Sequence, residues 1–171
     1  YSRSLEDAIE AAGKKGVLFV AAAGNNSSNN DDVPVYPAGY DLYNIISVMA
    51  TDHNDRIAWS SNYGLKTVDI AEPGVDILST MPLEETAPMT SAGLTTGYAV
   101  LSGTSIAAPH VSGACALLWS KFPSLSPYQV KHALMQTADK VVPGLCQSHG
   151  RVNAFSALNA IPQGQPGQVL N

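Results

Sequence analysis

The sequence predicts an α/β fold with a largely parallel sheet and helices on both faces. Three observations carry that prediction: helical periodicity that gives way at once to a continuous apolar run, several short apolar runs divided by turn residues, and one long apolar segment of helical length. In chain order, Ser4 followed by Asp7 has the form of a capping box, and Leu5, Ala8, Ile9 and Ala12 recur at helical spacing until Gly16. Val17 to Ala23, VLFVAAA, is the kind of run found in strands buried on both faces, and Gly24 ends it. Asn25 to Asp32 is polar and turn-forming, Tyr36-Pro37-Ala38-Gly39 is a second break, and Ile45 to Ala50 is the next strand candidate. Val68 to Ala71, Val75 to Thr80 and Tyr98 to Leu101 follow as short strands, with Pro73-Gly74 between the first two and a long loop from Met81 to Gly97 before the last. Ser105 to Phe122 reads as a buried central helix, with Pro109 tolerated in its first turn and Pro123 closing it. Ser126 and Pro127 open another helix that runs to Gln136, and Asn153 to Ala160 forms a short last one. Pro162 to Asn171, rich in Gln, Gly and Pro, reads as a disordered tail.

At 171 residues and 45% hydrophobic content, the chain can bury one substantial core. Charged residues make up 13% of it and the net charge is -5, without a block of like charge, so neither nucleic acid nor an anionic membrane surface is an expected partner. No run reaches the roughly 18 apolar residues that a spanning helix needs, and the first residues carry no targeting signal. The chain opens at Tyr1 without Met and enters a helix almost at once, as a cut piece of a longer protein would. Cys115 and Cys146 fit neither zinc spacing nor a disulfide framework. Cys115, in ACALLW, reads as a buried free thiol, and a bond between the two stays open.

The chemistry is concentrated around Ser105. Gly103-Thr104-Ser105 places a hydroxyl between a glycine turn and the amino end of an apolar helix, where free amides and the helix dipole favour a developing negative charge. A bare GTS before a helix more often marks a cap. The wider segment GTSIAAPHVSGACALL reverses that preference: it resembles the nucleophile segment of the subtilase family, usually written GTSMAAPHVAG, and departs from it only at Ile106 and Ser112. AAAGN, residues Ala21 to Asn25, resembles the segment whose asparagine donates to the oxyanion in that family, which makes Asn25 the expected donor. Asn25 and Asn26 also suit a plain turn, and Asn25-Asn26-Ser27 and Asn26-Ser27-Ser28 fit the glycosylation sequon.

The resemblance continues through YPAGYDLYNIISVMATD, WSSNYG, VDIAEPGVDILST, LSPYQVKHALMQTA and GRVNAFSAL, covering nearly everything from Leu5 to Leu158. It implies a subtilisin-like three-layer fold, present as an incomplete carboxy-terminal portion over residues 1–161, and a serine endopeptidase acting on polypeptides. It also implies that Ala22, Ala23, Gly24, Gly103 and Thr104 lie on the substrate side of the site. Pro82 to Thr96 reads as an insertion. The family's histidine and aspartate belong to HGTH-like and DTG- or DSG-like segments that precede the serine, and neither string occurs here. Base and orienter are therefore expected upstream of Tyr1, and the chain alone is expected to be inactive. Its expected partners are the missing amino-terminal part, a pro-segment or a second copy. Secretion is implied by family habit.

Local residues do not replace the absent pair. His110 is five residues from Ser105, about 500° around the helix, so its ring points away. His53 sits in a polar turn with Asp52, Asn54 and Asp55, and His132 and His149 have no matching motif. Calcium is implied by the resemblance for the whole parent domain, with Asp69 a candidate ligand, although the acidic neighbour expected beside it is Thr67. A non-catalytic scaffolding module of the same fold is the competing function. The intact Gly103-Thr104-Ser105 and Asn25 weigh against it. An α/β-hydrolase esterase fails for want of a GxSxG elbow.

Overall fold

The computed structural model describes residues 1–161, so the expected tail lies outside the described residues. The elements are α1 (Arg3–Gly13), β1 (Phe19–Ala22), β2 (Ile45–Thr51), β3 (Ile70–Pro73), β4 (Ile77–Thr80), α2 (Ala87–Ser91), β5 (Tyr98–Leu101), α3 (Thr104–Lys121), α4 (Pro127–Gln136) and α5 (Ala154–Ala160). β2 is the middle of a parallel sheet ordered β1-β2-β3, with Phe19 opposite Ile45 on one side and Val48 opposite Ile70 on the other. β4 and β5 form a separate antiparallel ribbon, Ile77 opposite Leu101. Because β2 is paired on both edges and covered on both faces, all seven of its residues are buried.

Alternation along β2 divides the core. Ile46, Val48 and Ala50 meet Ala107, Val111, Cys115 and Leu118 of α3, and α4 and α5 extend that layer with Val130, Leu134 and Ala157. Ile45 turns the other way, to Ile9 of α1 and Tyr40, and Met49 to Val68 and Cys146. Each fully buried Ile, Leu or Val contributes about 1.5–3 kcal/mol. Helices thus lie on both faces, as the sequence predicts. Both cysteines are buried and free, and burial pushes the Cys115 thiol up to about 12. Ser126 forms a full capping box with Gln129, and Asn153 caps α5 through Ser156.

Several expectations are corrected. α1 begins at Arg3 with Ser2 at its N-cap, so Ser4 is already inside the helix, and Asp7 pairs with Arg3 at 2.9 Å instead of closing a capping box. The run from Val17 is not buried on both faces: β1 starts at Phe19 and is an edge strand, with Phe19, Val20 and Ala22 only half-buried and Val17 49% exposed. Pro109 is the sixth residue of α3, in its second turn, where it leaves the Ser105 carbonyl without an amide one turn on. α3 itself is buried on one side only, with Pro109, His110, Gly113 and Leu117 exposed. The long loop holds α2, five residues anchored by Met89.

Asp69 is also resolved. Its Oδ1 lies 2.8 Å from the Lys131 ammonium, its Oδ2 accepts from the Ser47 amide, and Lys131 donates further to the Ile45 carbonyl. An internal cation already holds that carboxylate, so the residues there do not fit a calcium ion. Among the described residues no group of three or more His, Cys, Asp or Glu could hold a metal.

Two outcomes follow from the buried Asp69 and the half-buried Glu72 at the end of β3. Lys131→Met strands the Asp69 charge and should lower unfolding stability in urea by about 3–5 kcal/mol, most of which Asp69→Asn in the same chain should restore. Burial pushes the Glu72 carboxyl up to about 7, with the Arg151 charge pulling the other way. The folded chain therefore keeps that proton at pH values where the unfolded chain has released it. Stability should fall as pH rises from 4.5 to about 7, and Glu72→Gln should flatten that slope in urea titrations across the window.

Candidate active site

α3 opens where the chain leaves β5 through Gly103, which stands at φ 146°, a conformation that only glycine adopts without strain. Ser105 follows as the second helical residue and is exposed. Its amide, in the first turn of the helix, has no hydrogen-bond partner among the described residues. The loop after β1 arrives beside it: a Cβ on Gly103 would lie 3.4 Å from Asn25 Nδ2, 3.4 Å from Asn25 Oδ1 and 3.5 Å from Ser105 Oγ.

Thr104 fixes which way that amide points. Asn25 Oδ1 accepts from the Thr104 backbone amide at 2.9 Å and from Thr104 Oγ1 at 3.1 Å, while Thr104 Oγ1 accepts from the Gly24 amide at 3.2 Å. With its oxygen engaged by two donors, Asn25 presents Nδ2 as a free donor beside Ser105. Two unsatisfied N–H groups, from Asn25 and Ser105, thus flank one hydroxyl at the positive end of an 18-residue helix. Such a site stabilises negative charge on an oxygen placed between the donors.

A layer that sequence reasoning missed holds the loop carrying Asn25. Asn62, fully buried, accepts from the Asn26 amide at 2.8 Å and the Ser28 amide at 3.1 Å, and donates to Asn30 Oδ1 and the Ala23 carbonyl. Asn30 donates to the same carbonyl. The block WSSNYG contains Asn62, but a polar residue between Ser61 and Tyr63 carries no sign of burial in the sequence. The contacts also correct one expectation: Ala23 is 0% exposed, its carbonyl taken by Asn30 and Asn62 and its amide by Val48, so it offers a substrate nothing. Ala22 and Gly24 are half-buried, whereas Gly103 and Thr104 are buried and shape the site from within.

The histidines stay away from Ser105. His110 Nδ1 lies 3.1 Å from the Ile106 carbonyl, one turn back on its own helix. His53 is exposed beside Asn54, in a turn closed by Asp52 onto the Asn54 and Arg56 amides. His132 stacks on Tyr128, and His149 accepts from the Gly144 amide. Among the described residues no histidine hydrogen-bonds Ser105.

The site also depends on a close backbone approach. Gly103 donates to the Gly74 carbonyl at 2.7 Å, and a Cβ on Gly74 would stand 2.7 Å from the Gly103 carbonyl and 2.8 Å from the Ala50 Cβ. Gly74→Ala must push the start of α3 away from the sheet. It should cost about 1–3 kcal/mol of stability, read as a lower denaturation midpoint.

Comparison with known proteins places this geometry. The chain is 42% identical over 155 residues to thermitase from Thermoactinomyces vulgaris, a match covering 90% of this chain and 48% of that protein. It is 41% identical to subtilisin Savinase from Lederbergia lenta, over 91% of this chain and 51% of the relative. Fervidolysin from Fervidobacterium pennivorans, described as a keratinolytic enzyme related to subtilisin, superposes with a TM-score of 0.78 at 34% identity, over 96% of this chain and 26% of that one. The chain spans only about a third to a half of the length of these curated relatives, 35% for a thermophilic serine proteinase from Bacillus sp. strain AK1. The subtilase family model matches residues 1–156, and the chain belongs to that family.

Proposed function

We propose that this chain is the nucleophile-bearing part of a serine endopeptidase domain that hydrolyses polypeptides through an acyl-enzyme on Ser105. The observation that carries the reading is the convergence of Ser105 Oγ, the free Ser105 amide and the oriented Asn25 carboxamide. In the reaction Ser105 Oγ attacks a peptide carbonyl, and the carbonyl oxygen, as it becomes negative, is received by Asn25 Nδ2 and the Ser105 N–H. Attack requires a base to take the serine proton and later deliver it to the leaving amine. The placement of His53, His110, His132 and His149 supports a base supplied by polypeptide outside residues 1–161, together with the acid that orients it. Family membership supports a secreted protein, and no described helix is long and apolar enough to cross a membrane.

Labelling with a fluorophosphonate probe, which reports an activated serine, tests this directly. The full-length protein should label and its Ser105→Ala variant should not, while residues 1–171 alone stay unlabelled. A folded full-length protein that fails to label would show a non-catalytic module instead. Within the labelled protein, Thr104→Val removes the hydroxyl that joins Gly24 to Asn25. It should lower kcat with little change in KM, by up to the roughly 10²- to 10³-fold known for loss of an oxyanion donor in subtilisin itself, and Thr104→Ser should retain most of the rate.

A further inference from the structure

A cavity of about 350 Å³ lies between α4 and the loop of residues 140–149, and none of the groups around Ser105 lines it. That volume is at the lower end of the range for small-molecule sites. N–H donors stand in its walls: the Lys140 ammonium, the rings of His132 and His149, and the Gln147 carboxamide. No aspartate or glutamate lines it, in a chain with 14 acidic residues against 9 Lys and Arg. The Tyr128 ring and the Met135 thioether supply an apolar surface. Lys131 also reaches the wall, but Asp69 already matches its charge.

The donors are held in place with bonding capacity left over. Lys140 donates to the Ser148 carbonyl at 2.8 Å and to the Met135 carbonyl at 3.5 Å, which uses two of its three protons, and no carboxylate pairs with it among the described residues. His149 Nδ1 accepts from the Gly144 amide at 3.1 Å, so the neutral ring carries its proton on Nε2 and donates there. His149 also stands at φ 57°, a left-handed conformation that is strained for a residue with a Cβ. Bonds from its amide to the Cys146 carbonyl and from the Val142 amide to its own carbonyl hold it there, with the ring in the cavity wall. His132 is stacked on Tyr128, ring centroids 5.9 Å apart, which fixes the α4 side. One uncompensated ammonium matches one negative charge, and a phosphate dianion would leave its second charge unmatched. We propose that this cavity binds a small organic carboxylate, its oxygens received by Lys140, His149 and Gln147 and its carbon body laid against Tyr128 and Met135.

The test follows the full-length protein by NMR, through the ring Cε1–H signals of His132 and His149 and the methyl signal of Met135, as sodium benzoate is added at constant pH and ionic strength. The three signals should move together and saturate with one dissociation constant. Benzamide, which has the same body without the charge, should bind about tenfold more weakly or less. Gln147→Glu puts a carboxylate into the cavity at an exposed position that the fold tolerates, and it should weaken benzoate binding about tenfold or more. Lys140→Met should do the same, and Lys140→Arg should keep most of the affinity. Shifts that rise without saturating, an equal response to benzamide, or unchanged binding in the Gln147→Glu protein would overturn the proposal. Inorganic phosphate that saturates the same signals at lower concentration than benzoate would overturn the carboxylate assignment. Benzoate should also raise the melting temperature, and by the same amount in the Ser105→Ala protein as in the parent, so this site stands or falls apart from the protease reading.

Discussion

The hydroxyl of Thr104 joins the two parts of the site. It accepts from Gly24 at the end of β1 and donates to Asn25, and its own backbone amide completes the hold on the Asn25 oxygen. Three hydrogen bonds thus tie a loop to a helix about eighty positions further along the chain. Neutral hydrogen bonds of this kind contribute about 0.5–1.5 kcal/mol each, but leaving buried partners unmade costs more. Because Thr104 is fully buried, the junction has one low-energy arrangement, and in it the Asn25 amide can present only its nitrogen.

That junction works because the elements it joins are already fixed. β2, buried along its whole length, holds β1 and β3 in register, so the ends of both strands, Gly24 and Gly74, stand at defined places beside the start of α3. The Gly74 carbonyl receives the Gly103 amide, and Gly74 itself is bonded back to Thr51 on β2. Asn62 restrains the loop after β1 from the far side. The site is therefore an outcome of sheet register, with side chains choosing among orientations that the backbone permits.

The sequence made the fold class legible because its helix and strand periods are clear, and it made the nucleophile legible because a long segment around Ser105 resembles a specific family motif. What it concealed falls into two groups. Asn62, Asn30 and the Lys131–Asp69 pair are polar residues that fold into the interior, and no local pattern distinguishes them from surface residues until the partners across the chain are known. The second group concerns exposure. VLFVAAA and the segment after Ser105 both read as buried on every side, and the structure leaves each with an open face. Apolar pattern records what a segment needs covered, and the described chain covers only part of it. Pro109 falls in the second turn for a simpler reason: the helix starts at Thr104 through a glycine at positive φ, one residue earlier than the serine suggests.

In the proposed enzyme these facts divide the chemistry unevenly. The placement of Ser105 beside Asn25 comes from bonds among Gly24, Asn25, Gly74, Gly103 and Thr104, all within the described residues, and in the proposed enzyme these hold the oxyanion donors. Proton transfer is not, since no described histidine hydrogen-bonds the serine. A serine hydroxyl without a base is a weak nucleophile, so charge stabilisation alone leaves the site formed but slow. The step from formed to active then depends on polypeptide outside residues 1–161 that brings the base. A displacement of about 1 Å between base and nucleophile is enough to cost roughly 10²-fold in rate, so that polypeptide must be held as firmly as the donors are. Charge stabilisation and proton transfer are thus divided between two stretches of polypeptide, and the bonds among Gly24, Asn25 and Thr104 build only the first.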